Sequence, residues 1–174
     1  MIVTLNLHSP PGEATRRLIT RALNVLKEDN RYVVNAMANG GMDVPWSMWD
    51  MGLVYNPPSA EDANTPEQAF WGISDMLARK EFSCGDAAAC EAAIVEELFD
   101  VPTEIIVVPQ GAYEYHALYL TPEGPVDPSE DWISEARTAG ITAYDGYLER
   151  GGLDPRWTAQ ARGSNLPARR RRPR

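Results

Sequence analysis

The chain has 174 residues, a formal net charge of −9 and 44% hydrophobic residues. This length and this apolar content are typical of one globular domain with extensions. No apolar run approaches the roughly 18 residues that a membrane span needs, and residues 1–7 lack the basic and long apolar segments of a secretion signal. We therefore expect a protein that stays in the cytoplasm, or in a particle assembled there, and that has no membrane partner.

The charge is unevenly distributed along the chain. Five arginines lie within the last six residues: Arg169, Arg170, Arg171, Arg172 and Arg174. The rest of the chain is therefore more acidic than the net charge indicates. An acidic body disfavours non-specific binding of nucleic acid, whereas a basic tail favours contact with DNA, RNA or an acidic protein surface.

The two cysteines, Cys84 and Cys90, lie six residues apart on one predicted helix. That spacing turns them about 240° around the helix axis, so the two thiols are expected to point apart and not to form a disulfide. Two cysteines and two histidines at these spacings match no zinc motif. We predict neither a metal nor another cofactor.

The sequence of the first half of the chain predicts two helices that are separated by a loop. Residues 13–29 follow Pro10-Pro11-Gly12 and form an amphipathic helix that packs on the domain, with an apolar face of Leu18, Ala22, Val25 and Leu26. Residues 39–66 are rich in glycine and proline but also in large apolar side chains, so this loop packs across the body and can wall a cleft. Thr65 and Pro66 then have the N-cap and first-turn chemistry of a helix over about 66–80.

A third helix is predicted up to about Phe99, after an interruption at Gly85. Its apolar arc includes Cys84, Cys90 and several alanines, and the small side chains allow close approach to a sheet. Glu91 falls inside this arc. We interpret Glu91 as a buried or cleft-facing carboxylate.

Strands and a further helix are predicted after this one. Residues 103–108 are apolar on both faces, which is typical of an interior strand. Gln110-Gly111 joins it to a strand over 113–120, and a turn at 122–124 leads to a short strand over 125–127. A helix is predicted from Pro128 to about Ala139 and a further one over 142–150, and the residues after 151 read as an extended arm.

Three residues along this order have the types of a thiol nucleophile, its base and the group that orients the base: Cys84, His116 and Asp127. A cysteine at a helix N-terminus lies where exposed amides and the helix dipole stabilise a thiolate, and the same amides can bind an oxyanion. The alternative is that Cys84 is a small apolar residue that packs the helix start. Cys90, in mid-helix among alanines, reads as core.

His116 and Asp127 each have a structural alternative. A single histidine on an apolar strand is often structural, although here a cysteine and an acid are available as partners. Asp127 precedes Pro128 and acidic first-turn residues, so it can be a helix N-cap, can orient Nδ1 of His116, or can do both. Asp86 also suits a first helical turn without any catalytic role.

The stretch from about Trp46 to Trp132 resembles transglutaminase-like, cysteine-peptidase-type proteins of tailed-phage structural gene clusters. The resemblance rests on four pieces: Gly52-Leu53-Val54-Tyr55-Asn56-Pro57, Phe82-Ser83-Cys84-Gly85-Asp86-Ala87-Ala88, Tyr115-His116-Ala117 and Asp127-Pro128-Ser129. It covers about half of the chain. It implies a papain-like α+β core with a Cys84 nucleophile, a His116 base and an Asp127 orienter, and Gln68 is a candidate second oxyanion donor.

These observations predict an α+β protein whose cysteine-bearing helix packs on a small antiparallel sheet. The predicted organisation is an N-terminal extension and helix over 1–38, a transglutaminase-like domain over 39–150, and an arm with the arginine tail over 151–174. One functional hypothesis is a cysteine hydrolase or acyltransferase that acts on amide bonds in a phage virion or its host cell. The alternative is a non-catalytic capsid, neck or tail component that contacts DNA or neighbouring proteins through its arginines. A nucleic-acid-binding module is disfavoured by the acidic body.

Overall fold

A computed structural model describes residues 1–6, 12–56, 67–109 and 115–138. Within them the elements are β1 (Ile2–Asn6), α1 (Glu13–Asn39), β2 (Val54–Tyr55), β3 (Glu67–Trp71), α2 (Ile73–Arg79), β4 (Glu81–Phe82), α3 (Cys84–Phe99), β5 (Glu104–Pro109), β6 (Tyr115–Thr121), β7 (Gly124–Val126) and α4 (Pro128–Thr138). The predicted α+β class is confirmed. Met1–Trp132 forms one compact unit, and of the second, Ile133–Arg174, only 133–138 are described. The expected helix over 142–150 and the arginine tail lie outside the described residues.

The largest sheet is antiparallel, in the order β5-β6-β7, and pairs Val107 with Ala117 and Tyr119 with Val126. The predicted strand, turn, strand and helix from β6 to α4 are thus confirmed to within a few residues. The expectation that β5 is interior is wrong, because β5 is the terminal strand of this order. Only alternate side chains of β5, Ile105 and Val107, are buried, since one face of the strand packs on the helices.

Helix α1 is longer than predicted and continues to Asn39. Its buried stripe packs against α3 and the sheet and consists of Ile19, Ala22, Leu23, Leu26, Asn30 and Val34. Packing on the domain is therefore confirmed, but the predicted apolar face is partly wrong. Leu18 and Val25 are 42% and 55% exposed, because the tertiary contacts select the Ile19–Leu23–Leu26 side of the helix.

The predicted helix over 66–80 is wrong in its first half. Residues 67–71 form β3, which pairs antiparallel with β1 so that Val3 lies opposite Phe70. Helix α2 begins only after Gly72. This β pairing joins segments more than sixty residues apart in sequence, so it overrides the local helix signals. Thr65 and Pro66 lie outside the described residues.

Helix α3 lies at the centre of the fold. Ala88, Ala89 and Ala92 pack in one apolar cluster with α1, β3 and the inward face of the sheet. Gly85 does not interrupt the helix but belongs to its first turn. A Cβ atom there would lie 2.7 Å from Cε1 of Phe70, so the absence of a side chain lets β3 approach the start of α3.

A partly buried ion pair fastens α1 to the other end of α3. Lys27 Nζ donates to Glu96 Oε1 at 2.7 Å and to the Thr103 carbonyl oxygen at 3.1 Å. Thr103 donates to the same carboxylate from its amide and its hydroxyl. Although burial would raise the pKa of Glu96, the hydrogen bonds from Lys27 and Thr103 lower it below its ordinary value. This pair therefore stabilises the fold above the ordinary glutamate range and loses that effect as the pH falls through the lowered pKa.

We expect Lys27→Met to lower the free energy of unfolding by about 3 kcal/mol, because the substitution removes the closer and more deeply buried cation of the Glu96 carboxylate, at 2.7 Å. Arg31→Met is the matched control. Arg31 is 38% exposed and lies 3.5 Å from Glu96, so we expect a cost of at most about 1 kcal/mol. Urea unfolding at pH 7 measures both, and equal costs for the two variants would contradict this assignment.

Candidate functional site

Cys84 is the first residue of α3 and is half-buried, with a free thiol. The helix begins there because Ser83 is its N-cap and Asp86 completes a capping box with Ser83. The first-turn amide groups of a helix lack intrahelical acceptors, so they can stabilise negative charge at this position. The predicted location of Cys84 at a helix start packed on a small antiparallel sheet is confirmed.

The Asp86 carboxylate joins the start of α3 to β3. It accepts hydrogen bonds from the Trp71 amide at 2.8 Å and from the Ser83 amide at 2.7 Å and hydroxyl at 2.8 Å. Burial raises the pKa of Asp86 to about 6, although these hydrogen bonds oppose the change. The sequence indicated only a first-turn acid here. The bond to Trp71 was missed because β3 was predicted as helix.

His116 and Asp127 form a close pair beside the sheet. His116 lies on β6 with its side chain 11% exposed, and its Nε2 atom is 2.5 Å from Oδ2 of Asp127. The sequence left open that Asp127 orients His116 through Nδ1, whereas the contact in the structure is with Nε2.

The electrostatics of His116 connect this pair to Cys84. A hydrogen bond with Cys84, supported by one with Asp127, raises the pKa of His116 from 6.5 to about 9, although burial would lower it. The ring is therefore an imidazolium at neutral pH and donates from both nitrogens. The pKa of His116 thus responds to both of the other residues chosen from the sequence.

Asp127 has both of the roles that the sequence left open. Its Oδ2 atom holds His116, and its Oδ1 atom accepts from the amides of Ser129 at 3.1 Å and Glu130 at 3.3 Å, which caps α4. The two oxygens divide these roles between them. A single carboxylate therefore fixes the position of the imidazole relative to the start of a helix.

An aromatic cluster connects the segments that carry Cys84 and Asp127. Phe82 lies just before the α3 N-cap, and its ring contacts Trp132 of α4, with centroids 6.1 Å apart. Trp49 of the preceding loop and Tyr55 of β2 also contact Trp132, whose Nε1 donates to the Leu53 carbonyl oxygen at 2.9 Å. This packing explains the apolar residues that the sequence showed in an otherwise irregular loop.

Glu91 anchors the same loop. The carboxylate is only 7% exposed, and its Oε1 atom accepts from the Met48 amide at 3.1 Å. Of the two possibilities for Glu91, a buried carboxylate is confirmed. Cys90, next to it, is fully buried as predicted, and burial raises the pKa of its thiol well above the ordinary value.

Gln68, the candidate oxyanion donor, lies half-buried on β3 opposite Leu5. It shares a face of that strand with Phe70, whose ring packs on the Gly85 backbone beside Cys84. This puts Gln68 on the strand that borders the start of α3, and its role remains a prediction.

No cluster of three metal-ligating side chains occurs within the described ranges. None of the helices described there is long and apolar enough to cross a membrane. Comparisons with protein-family models, with curated proteins and with solved structures gave no match.

We expect an NMR titration to give His116 a pKa near 9, and Cys84→Ser to lower it more than Asp127→Asn does, because the Cys84 hydrogen bond is the larger contribution. His8, the only other histidine, provides the reference signal. Since the pKa is raised on folding, protonated His116 stabilises the fold fully below about pH 6.5 and loses this effect as the pH rises through about 9. A wild-type pKa near 6.5 would show that the three groups do not interact.

Proposed function

We propose that the protein is a transglutaminase-like cysteine hydrolase or acyltransferase, with Cys84 as nucleophile, His116 as acid and base, and Asp127 as the residue that orients His116. The observation that carries this proposal is the His116 ring, which interacts with the Cys84 thiol and the Asp127 carboxylate together. A purely structural histidine needs partners for its nitrogens, but it does not need a thiol at a helix N-terminus.

The charges of the three groups suit acyl transfer. The Cys84 thiolate attacks the carbonyl carbon of an amide, and the resulting oxyanion is stabilised by first-turn amides of α3, with Gln68 as the candidate second donor. The His116 imidazolium gives its proton to the leaving nitrogen, the carbon–nitrogen bond breaks, and a thioester with Cys84 remains. Neutral His116 then takes a proton from the attacking water or amine, and the acyl group leaves as Cys84 regains its thiolate.

Asp127 supports this reaction by keeping the ring in position. The carboxylate accepts from Nε2, which leaves Nδ1 as the ring nitrogen that serves the sulfur in this proposal, and the negative charge stabilises the imidazolium. The capping bonds from Ser129 and Glu130 hold the carboxylate itself in place. The order of these segments along the chain also agrees with the resemblance to transglutaminase-like phage proteins.

We expect iodoacetamide at pH 6 to alkylate Cys84 faster than glutathione, because Cys84 lies at a helix N-terminus and interacts with the His116 imidazolium. His116→Ala should slow this labelling at least about tenfold. His8→Ala, which removes the other histidine, is the matched control and should leave the rate unchanged. Mass spectrometry of the digested protein gives the rate at each cysteine, with fully buried Cys90 as the internal reference for a thiol protected by folding.

Circular dichroism of each variant separates loss of reactivity from loss of fold. If Cys84 in the folded wild-type protein reacts no faster than glutathione, or if His116→Ala leaves its rate unchanged, catalysis by this triad is ruled out.

The second candidate function is a non-catalytic component of a phage virion that uses the same fold as a scaffold. The sequence observation that favours it is the concentration of five arginines in the last six residues of an otherwise acidic chain. Such a segment can bind packaged DNA by releasing counterions, or bind an acidic face of a neighbouring protein. Both functions are compatible in one protein.

We expect replacement of Arg169, Arg170, Arg171 and Arg172 by serine to weaken binding to duplex DNA and to reduce its salt dependence, because fewer phosphates are neutralised. Fluorescence anisotropy at several salt concentrations measures both effects. Substituting four basic residues elsewhere, Arg16, Arg17, Arg79 and Lys80, controls for the change in net charge. If the tail variant binds DNA like the wild type and also incorporates normally into particles, the tail has no such role.

A further inference from the structure

The face of α1 that points away from the core carries a regular apolar stripe. Leu18, Val25 and Tyr32 are spaced by seven residues and are 42%, 55% and 78% exposed. A seven-residue spacing keeps side chains on one side of a helix, and this is the spacing with which helices pair. Tyr32 is the most exposed of the large apolar residues in the described part of the chain.

The stripe is symmetric about Val25. Leu18 lies seven residues before Val25 and Tyr32 seven after it, and two exposed alanines, Ala14 and Ala36, lie eleven residues before and after it. In an antiparallel pair of identical helices with a twofold axis at Val25, Leu18 of one copy therefore meets Tyr32 of the other. Ala14 likewise meets Ala36, where small side chains allow close approach.

The charges beside the stripe select the same arrangement. Arg21 lies four residues before Val25 and Glu28 three after it, both are exposed, and both lie on the same edge of the stripe. In the antiparallel pair, this edge of one copy lies against the same edge of the other copy, and the two run in opposite directions. Arg21 of each copy therefore lies beside Glu28 of the other. In a parallel pair this edge would instead lie opposite the other edge of the partner's stripe, so Arg21 and Glu28 of the two copies would not meet. Glu28 also binds Arg31 of its own helix at 3.2 Å, and a carboxylate can accept from two arginines.

We propose that this face of α1, defined by Ala14, Leu18, Arg21, Val25, Glu28, Tyr32 and Ala36, is a homodimer interface that binds the same face of a second copy in the antiparallel sense. The residues span about 33 Å of helix, and a single helix pair of this length buries roughly 1,000 Å² in total, near the lower limit for specific interfaces. We therefore expect a dissociation constant in the micromolar range. This inference does not rest on the proposed catalytic function.

Sedimentation equilibrium of the full chain tests the interface. We expect a monomer–dimer equilibrium in the wild type and a monomer for Val25→Asp, because Val25 lies on the twofold axis and the substitution brings two carboxylates together. Arg21→Glu and Glu28→Arg should each weaken dimerisation about tenfold or more, whereas the double variant should return to within about threefold of the wild type. Glu104→Arg, an exposed substitution on β5 with the same charge change as Glu28→Arg, is the control and should dimerise normally.

Val25, Arg21 and Glu28 are exposed, so these substitutions should leave the monomer folded, and circular dichroism checks this for each variant. A wild type that remains monomeric at several hundred micromolar overturns the proposal and leaves the stripe to a different partner. A dimer that persists in folded Val25→Asp, or a double variant that dimerises no better than the single ones, overturns it as well.

Discussion

The arrangement of the candidate site depends on how the start of α3 is held. The buried Asp86 carboxylate accepts hydrogen bonds from the Ser83 N-cap and from the Trp71 amide of β3. One side chain therefore connects the last residue of a strand to the first turn of a helix. The missing side chain at Gly85 lets the Phe70 ring fill the space beside this turn. Cys84 lies between these fixed residues, and its position follows from theirs.

A second carboxylate fixes the other side of the site. One oxygen of Asp127 contacts the His116 ring, and the other accepts from the first amides of α4. The position of the imidazole is therefore fixed relative to the start of a helix. Both ends of the candidate site are thus built by helix capping. The same side chains that stabilise the helix starts position the reactive groups, which explains why capping and catalytic interpretations fit these residues equally well in the sequence.

Residues with a strong local signal could be predicted from the sequence. Ser83 and Asp86 bracket a helix start, and Pro128 follows an N-capping aspartate, so the positions of α3 and α4 needed no tertiary information. Where the prediction failed, a distant partner decided. β3 has local helix signals, but pairing with β1 makes it a strand, and α1 turns its Ile19–Leu23–Leu26 face inward because α3 and the sheet lie on that side.

The residue types of the candidate triad, their order and the elements that carry them were determined by the sequence alone, because each depends on neighbours within a few positions. Only the tertiary structure decided that Asp127 binds Nε2 of His116 and not Nδ1, and that Cys84 is close enough to the same ring to affect its pKa. Those contacts join a helix start, the middle of a strand and a second helix start. Local sequence carries no information on such distances, because they are set by how the helices and the sheet pack around the shared apolar core.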